Sequence, residues 1–379
     1  MAAPLDRLRI LDLSRQLPGP FCSLLLSDLG ADVVMIGAPG DPLGAGMTLL
    51  TRGKRSMTLD LKQPAARDAF LRLAAGADVV LEGFRPGVAA RLGIDYGVLA
   101  EVNPRLVYCA ITGYGQDGPY RARAGHDVNY LGQAGVLDVF AAEGGAPTLA
   151  GVQIADIGGG ALMAVVGILA ALLSRAVTNR GQLVDVAMLD GALTFNAYQH
   201  LLWTLHGSLP ERGRTWLTGY YPCYAAYETR DGRWVTVGAF EPHFWATLCQ
   251  RLGCEEFIPE QWAEGEKRAE IFRVLRERFR SRTMREWVET LADDDICFGP
   301  VNTVEEALAD PQVRHRRMVI EVEAAGGRRT MLGCPIQLSE TAARFRGEAP
   351  RFGAHTEEVL REVGLSAADV AALRAAGAV

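Results

Sequence analysis

The sequence predicts an α/β fold built on a parallel sheet, followed by a second and smaller α+β domain. Short apolar runs alternate with stretches of helical spacing over the first 111 residues, and this alternation is typical of parallel β-α-β units. After about residue 207, paired strands and charge-rich helices replace the alternation. Hydrophobic residues make up 49% of the 379 positions and charged residues 22%, which is typical of a globular enzyme with a sizeable core.

The first β-α-β unit consists of a strand at residues 8–13, a helix at 20–30 and a strand at 32–36. Apolar runs predict two more buried strands at 78–81 and 106–111. The intervening helices are expected at 64–75 and 98–103. The first strand-to-helix turn reads SRQLPGP and not G-x-G-x-x-G, so the sequence disfavours a nicotinamide-dependent dehydrogenase.

A central run, residues 157–174, carries no charge and reaches the lower length limit of a membrane span. Because it opens with three glycines and has no second candidate beside it, we expect a buried core helix over 159–177 instead. Asp156 precedes this helix at the position of an N-cap or a first-turn acid. Residues 185–190 then lead into a mostly helical segment that ends near 206–207.

The smaller domain is predicted from a change of pattern. Two strands at 220–227 and 234–238 are joined by an Asp-Gly turn. Charge-rich helices follow at 243–252, 267–279 and 284–292. From about residue 314 the chain is basic and extended, and it ends in a helical tail over 356–373.

Charge and cysteine content narrow the possible partners. The net charge is −6 and no broad basic face is indicated, so nucleic acid and anionic membrane are not expected as partners. The seven cysteines are odd in number and scattered, and the start lacks the pattern of a secretory signal, so we expect reduced thiols in the cytoplasm. No metal site is readable from the cysteine and histidine spacing.

Two residues are candidate bases. His126 follows a glycine-rich polar loop, although a lone histidine is more often a hydrogen-bonded structural residue. Asp156 precedes three glycines that could let a substrate approach the backbone, although it could equally be a simple helix cap. Together, an imidazole and a carboxyl group suit removal of a proton beside a thioester carbonyl and its return to the opposite face. Glu241 could fix the tautomer of His126, but a lone acid is more often a turn or cap residue.

Basic residues cluster after two of the predicted strands. One group contains Arg52, Lys54, Arg55 and Lys62, and in the other Arg85 and Arg91 flank Pro86-Gly87. Scattered lysines and arginines are usually solvated surface. At strand ends of a parallel sheet they could instead meet phosphates, and on that interpretation Arg52 and Lys54 are candidate contacts to the phosphates of a ligand.

These residues lie in a sequence that resembles the family III CoA-transferase (CaiB/BaiF) superfamily over essentially its whole length. Within the superfamily the chain is most similar to the α-methylacyl-CoA racemase branch, through Gly125-His126-Asp127 with Tyr130, Asp156 with its glycines, and Glu241 in GAFEPHF. The superfamily-wide segments are 9–14, 29–34, 52–62, 82–93, 103–108, 299–301, 310–311 and 355–358.

The resemblance implies a fold and an assembly. A large Rossmann-like domain would be formed from both chain ends, residues 1–200 and 320–379, and a small α+β domain from 215–310. Residues 201–214 and 311–319 would be linkers. The protein would be an interlocked homodimer, with each site where the large domain of one chain meets the small domain of the other.

The resemblance also implies an activity and its residues. His126 and Asp156 would be the two bases of a 2-methylacyl-CoA racemase, and Glu241 would orient the histidine. Coenzyme A would arrive as part of the substrate, with no permanently bound cofactor and no metal. Backbone N–H groups at Asp156, Ile157 and Gly158 would hold the enolate oxygen. The residues implied in binding CoA and its thioester are Lys62, Glu82, Arg85, Arg91, Gly125 and Tyr130.

Two other activities stay open at this point. A family III CoA-transferase would use Asp127 as a nucleophile through an anhydride and would need an acid acceptor. A catalytically silent CoA-binding protein is the third possibility. The chain also departs from the family pattern at Gly37-Ala38-Pro39, where an acid-Arg-Pro sequence is usual, and at the Tyr-Tyr pair 220–221.

Overall fold

A computed structural model describes residues 3–41, 48–209, 211–324 and 327–379 of the chain. The strands of the first sheet are β1 (Arg9–Asp12), β2 (Asp32–Gly37), β3 (Arg55–Thr58), β4 (Val79–Glu82), β5 (Val107–Thr112) and β6 (Leu183–Ala187). The later strands are β7 (Tyr224–Glu228), β8 (Trp234–Gly238), β9 (Phe298–Pro300), β10 (Val319–Ala324) and β11 (Gly327–Leu332).

Helices alternate with the first five strands, as the apolar periodicity predicts. Those before the central apolar run are α1 (Pro18–Asp28), α2 (Pro64–Ala75), α3 (Val88–Leu92), α4 (Tyr96–Val102), α5 (Asp127–Gln133) and α6 (Val136–Val139). A π-helix (Ile154–Leu162) then continues into α7 (Met163–Thr178). After β6 come α8 (Met188–Thr194) and α9 (Ala197–His206). The remaining helices are α10 (Pro242–Leu252), α11 (Gly265–Phe279), α12 (Met284–Leu291), α13 (Val304–Ala309), α14 (Pro311–His315), α15 (Thr356–Glu362) and α16 (Ala367–Ala375).

The first sheet is parallel throughout, in the order β3-β2-β1-β4-β5-β6, which confirms the predicted parallel α/β sheet. From β1 the chain moves outward to β2 and β3, and it then returns to place β4 on the other side of β1. Connections leaving β1 and β4 therefore diverge. In open parallel sheets such a reversal creates a crevice at the carboxyl ends of the strands, where ligands bind.

The sheet belongs to the larger of two compact units, made of residues 1–134, 151–196 and 312–379. Every residue of β4 and β5 is buried, because helices cover both faces of a parallel sheet. One core cluster joins residues from α2, such as Phe70, to Val359 and Leu360 of α15 and Leu373 of α16. The carboxyl-terminal helices are thus held in this unit by apolar contact with the same core.

The central apolar run differs from its prediction. Instead of one α-helix capped by Asp156, it forms the π-helix, with Gln153 at the N-cap and Asp156 inside the first turn, followed by α7. One face of α7 packs on β5 and β6, where a Cβ added at Gly167 would lie 2.6 Å from Val184. Only 39% of the apolar stretch is buried, so the expectation of a buried core helix holds for one face alone.

This stretch, Ile154–Thr178, is also the one described helix with the length and composition of a membrane span. Its buried Arg175 forms an ion pair with Asp78 at 2.9 Å and donates to the Arg105 carbonyl. A crossing of a bilayer would break that pair and remove the helix from β5 and β6. The packing of this helix on β5 and β6 therefore favours a place in the helical layer that covers the sheet, and not a membrane span.

The smaller unit comprises residues 135–150 and 197–311. Its antiparallel sheet, in the order β7-β8-β9, carries α10, α11 and α12 around a core that contains Tyr227, Trp245 and Phe279. The Trp245 indole N–H donates to the Phe257 carbonyl at 2.9 Å, so the one polar group of this large core side chain has a hydrogen-bond partner.

The division differs from the predicted domains in three places. Residues 135–150 join the smaller unit. Within the predicted linker 201–214, residues 201–206 form the end of α9. Within the predicted linker 311–319, α14 occupies residues 311–315, and residues 312–319 belong to the larger unit. The sequence also missed five of the described strands. The missed strands are β3, β6, β9, β10 and β11.

Candidate active site

A cleft of about 540 Å³ opens in the larger unit at the carboxyl ends of β1, β4, β5 and β6. This is the point where the strand order reverses, so the fold alone places a ligand site here. Four residues of the sequence-predicted site line this cleft: Arg85, Gly125, His126 and Tyr130. Its further wall residues include Ser14, Gly83, Phe84, Ile111, Asn129 and Met188.

His126 stands at the N-cap of α5, exposed at the wall of the cleft. Its backbone N–H donates to Oδ1 of Asn129 at 3.0 Å, which fixes the turn that enters the helix. The histidine is therefore presented by a rigid helix start and not by a free loop. The structure thus places His126 at the loop-to-helix junction that the sequence predicts, and its role as a base stays a prediction.

Tyr130 is buried behind His126 and explains two glycines of the motif. A Cβ added at Gly113 or at Gly125 would lie 2.6 or 2.7 Å from the Tyr130 ring, so only glycine fits at either position. The Tyr130 hydroxyl donates to the Gly125 carbonyl at 2.7 Å. Burial raises the pKa of Tyr130 to about 12, so its hydroxyl stays protonated at neutral pH.

Asp156 lies beside His126 and Asp127. Its backbone N–H donates to Oδ1 of Asp127 at 2.9 Å. Burial first, and then the negative charge of Asp127, raise the pKa of the Asp156 carboxyl to about 6, and His126 opposes the rise. The structure thus brings together three residues that the sequence separates by up to 30 positions. Near neutral pH this carboxyl can either accept or donate a proton.

The predicted enolate-binding N–H groups are not free in this arrangement. The N–H of Asp156 is used by the Asp127 carboxylate, and the N–H of Ile157 donates to the Gln153 carbonyl at 3.1 Å. The prediction is therefore wrong for these two donors, because the π-helix and Asp127 satisfy them internally. Gly158, the third predicted donor, lies within the π-helix.

The glycine run after Asp156 also has a different cause from the one expected. A Cβ on Gly159 would lie 2.8 Å from backbone atoms of α8, and one on Gly160 would lie 2.8 Å from the Met188 side chain. A Cβ on Gly158 would lie 2.6 Å from the ring of Phe195. These glycines allow the π-helix to approach α8 closely, and that packing, not an approach of substrate, accounts for them.

Glu82, an implied CoA contact, is buried at the end of β4. Its carboxylate accepts a hydrogen bond from the Phe84 N–H at 2.5 Å, and burial raises its pKa to about 7. The side chain therefore holds the 83–85 loop, whose backbone lines the cleft. Lys62 and Arg91 are exposed in the same unit but do not line the cleft.

Arg52 and Lys54 are not surface phosphate contacts, which corrects their assignment as CoA-binding residues. Arg52 is 3% exposed and forms an ion pair with Asp28 at 2.6 Å. Lys54 is 4% exposed and donates to the Ser23 hydroxyl at 2.7 Å and to the Pro20 carbonyl at 2.9 Å. Their partners and their burial make both residues part of the internal framework below the cleft.

Three basic residues of the cleft were missed by the sequence reasoning. Arg15 follows β1 directly and pairs with Asp41 at 2.9 Å, and Arg121 and Arg123 belong to the loop that precedes His126. Their positions in the sequence could have indicated a site role. Arg15 lies in the connection from β1 to α1, and Arg121 and Arg123 shortly precede the histidine motif. Together with Arg85 they give the cleft a cationic wall suited to an anionic ligand.

Glu241 lies in the smaller unit, exposed at the N-cap of α10 and directly before Pro242. The structure therefore gives it the helix-cap position that the sequence offers as an alternative to a site role. Among the described residues, no group of three or more histidine, cysteine, aspartate or glutamate side chains is placed to hold a metal ion.

The known proteins to which this chain is similar belong to one family but are named for two different reactions. A profile of CoA-transferase family III matches residues 5–356. Mouse alpha-methylacyl-CoA racemase is 36% identical over 364 residues, covering 96% of this chain and 94% of that protein. The succinate--glutarate CoA-transferase of Agrobacterium fabrum is 33% identical over 390 residues, covering 95% of this chain and 96% of that protein.

A solved structure supports the same grouping. A CAIB/BAIF family protein from Brucella suis superposes with a TM-score of 0.83 at 30% identity, covering 96% of this chain and all of that one. Racemases and transferases match over the same length with similar identity. Overall similarity therefore does not distinguish the two reactions, and the residues of the cleft have to do so.

Proposed function

The chain belongs to CoA-transferase family III, and from this premise we propose that it epimerises 2-methylacyl-CoA thioesters by moving the α-proton between His126 and Asp156. The observation that carries the proposal is the placement of a carboxyl group with a pKa of about 6 near His126, which lines the cleft. A two-base reaction needs one group protonated and the other free, and a carboxyl group with a pKa this close to neutral can take either part.

In the proposed step one base removes the α-proton, and the electron pair of the broken C–H bond moves into the thioester to give an enolate. The other residue, protonated at that moment, delivers its proton to the opposite face of the same carbon. The C=O bond re-forms, and the two residues have exchanged protonation states. Either residue can begin the cycle, depending on the epimer bound, because the pair retains one proton throughout.

The cationic wall of the cleft is proposed to bind the CoA portion. Arg85 lines the cleft beside the Glu82-supported loop, and guanidinium groups suit phosphate oxygens. Lys62 and Arg91 are proposed as outer contacts on the basis of the family resemblance. Glu241 is proposed, on the same basis, to orient the imidazole of His126 in the assembled protein.

A CoA-transferase reaction is the second candidate, and the similar identity to transferases favours it. In that reaction Asp127 would attack the thioester carbonyl, the C–S bond would break and the thiolate of CoA would leave. Against this, Oδ1 of Asp127 is already engaged by the Asp156 N–H. A catalytically silent CoA-binding protein is a third candidate.

One incubation tests all three. A single epimer of a 2-methylacyl-CoA is incubated in D2O without a free acid, and α-deuterium and epimer ratio are followed. We expect deuterium incorporation together with formation of the second epimer. Absence of exchange, with acyl transfer to an added acid that requires Asp127, would overturn the proposal in favour of a transferase. Bound but unreacted thioester would instead support the silent protein.

We also infer that the protein is a homodimer, because the outer face of α7 is apolar and exposed in the single chain. Val166 is 61% exposed, Leu173 is 73% exposed and Val177 is 88% exposed on this one helix. An exposed apolar face of this kind is typical of a protein interface. The inner face of the helix is already packed on the sheet, so a second copy is the occupant we propose, in line with the family resemblance.

The change Leu173→Glu is expected to convert the dimer to a monomer, because it places a charge in the apolar contact. Light scattering after gel filtration measures the mass. Leu332→Glu is the matched control, since Leu332 is 60% exposed on β11, away from α7, and its replacement should leave the mass unchanged. A wild-type monomer that floats with phospholipid vesicles would contradict the dimer and support membrane attachment.

A further inference from the structure

The contact between Asp127 and Asp156 joins the two helix starts that carry the proposed bases. Asp127 is the first residue of α5, and Asp156 lies in the first turn of the π-helix. The N–H groups of a first helical turn have no partner within the helix. Oδ1 of Asp127 supplies one to the Asp156 N–H at 2.9 Å, across 29 residues of sequence.

We propose that Asp127 is a positioning residue for proton transfer: its carboxylate holds the backbone at Asp156 and keeps a negative charge beside the Asp156 side chain. This role rests on the proposed function and replaces the nucleophilic role that a transferase would give the same residue. The hydrogen bond ties the main chain at Asp156 to the residue directly after His126. The spacing between the two bases is thereby fixed by a bond that neither base makes with its own side chain.

The charge of Asp127 has a second effect. Two carboxylates that share a site disfavour each other's ionised form. Burial and Asp127 together keep the Asp156 pKa near 6, and His126 acts in the opposite direction. Without Asp127 the carboxyl of Asp156 would ionise more readily and would be a weaker acid donor to the enolate. The positioning bond and the electrostatic effect therefore come from one side chain.

Other ionisable groups lie on the elements that pack against the π-helix. Tyr130 on α5 stays neutral because its pKa is about 12, and Arg85 acts on that tyrosine. Asp28 on α1 pairs with Arg52, and Arg175 on α7 pairs with Asp78. The remaining ionisable groups on elements packed against the π-helix are Cys22 on α1, Tyr108 and Cys109 on β5, Asp185 on β6 and Asp190 on α8.

The test separates charge from hydrogen bond. Asp127→Asn keeps an amide oxygen that can accept from the Asp156 N–H but removes the charge. We expect kcat for epimerisation at the optimum to stay within about threefold of wild type, because the hydrogen bond survives. The acidic limb of kcat against pH, expected near 6 in the wild type, should move to lower pH. Activity falls at low pH because neither His126 nor Asp156 can act as a base when both are protonated.

Asp127→Ala removes the acceptor as well. We expect kcat to fall about tenfold with little change in KM, which is the effect of losing one hydrogen bond that aligns a reacting group. Asp190→Asn is the control, because this acid is exposed on α8 and its replacement should leave the limb in place. Carboxyl carbon NMR of Asp156 in wild type and Asp127→Asn gives its pKa without any turnover.

The outcomes distinguish the inference from the function on which it rests. If the Asp127→Asn limb and the Asp156 titration both stay in place, the electrostatic role is overturned. If Asp127→Ala keeps the kcat of the wild type, the positioning role is overturned, and epimerisation stands in both cases. If Asp127→Asn loses all activity and the wild type transfers acyl groups to acids, Asp127 is a nucleophile, and the proposed function fails with the inference. A lower Asp156 pKa in Asp127→Asn supports the electrostatic role whichever reaction the wild type performs.

Discussion

Replacing Asp156 with Asn is expected to lower epimerisation by about 10²- to 10⁴-fold, the effect of removing one positioned acid-base group. His126→Ala should give a loss of the same size. The deuterium exchange that remains in each variant should be the more specific test of the two-base reaction. With one base gone, the other can still remove the α-proton that faces it and return deuterium to the same face, so each variant should label one epimer without inverting it.

The two variants should therefore label opposite epimers. Each purified epimer is incubated separately in D2O, and mass spectrometry and chiral separation follow the label and the configuration. Asp190→Asn serves as the carboxyl control, since it removes an exposed acid of the same unit and should leave both epimers reacting normally. Full epimerisation by either Asp156→Asn or His126→Ala would contradict a two-base reaction at these residues.

The parallel sheet was predictable because its strands carry continuous apolar runs. β4 and β5 are buried along their whole length, and burial on both faces selects such runs. β3 was missed because it lies at the edge of the sheet and includes Arg55, whose guanidinium pairs with Asp32 and Glu362. The β10–β11 hairpin was missed because β11 carries no continuous apolar run and five of its six residues are exposed.

The candidate bases could be found from sequence, but their relation could not. His126 and Asp156 each stand at a helix start, which local patterns indicate. The hydrogen bond from the Asp156 N–H to Asp127 depends on how α5 packs against the π-helix, and no local pattern records that packing. For the same reason the three glycines were interpreted as space for substrate, although they serve the contact with α8.

Charged residues gave the clearest failure of sequence reasoning. Arg52 and Lys54 stand in a basic run that reads as a phosphate contact or solvated surface, yet both are buried. The acid partner of Arg52 is Asp28, at the end of α1, and Lys54 lies 3.7 Å from Asp12, at the end of β1. Because these partners lie 24 or more residues away along the chain, only the tertiary fold shows that the charges are compensated.

Arg52→Ala is expected to lower the free energy of unfolding of the larger unit by about 3–5 kcal/mol, because it leaves Asp28 buried without its partner. Both side chains of the pair are 3% exposed, so water cannot replace the guanidinium. Hydrogen exchange at the buried amides of β4 and β5 in urea is the suitable measurement. Tryptophan fluorescence would report the wrong unit, since all six tryptophans lie between residues 203 and 287, in the smaller unit.

The pH dependence of this loss distinguishes a broken ion pair from a simple cavity. Burial already raises the pKa of Asp28 in the folded protein, with Arg52 opposing that rise, so removing Arg52 raises it further. A carboxyl whose folded pKa is raised costs no stability below its unfolded pKa and becomes destabilising as pH rises through the folded value. The deficit of Arg52→Ala should therefore be largest at neutral pH and shrink on acidification, whereas a cavity would cost the same at every pH. Arg361→Ala, which breaks the exposed pair with Glu357 in the same unit, should change stability by no more than about 0.5 kcal/mol. A loss for Arg52→Ala as small as this, or one independent of pH, would show that the buried pair does not stabilise the fold in this way.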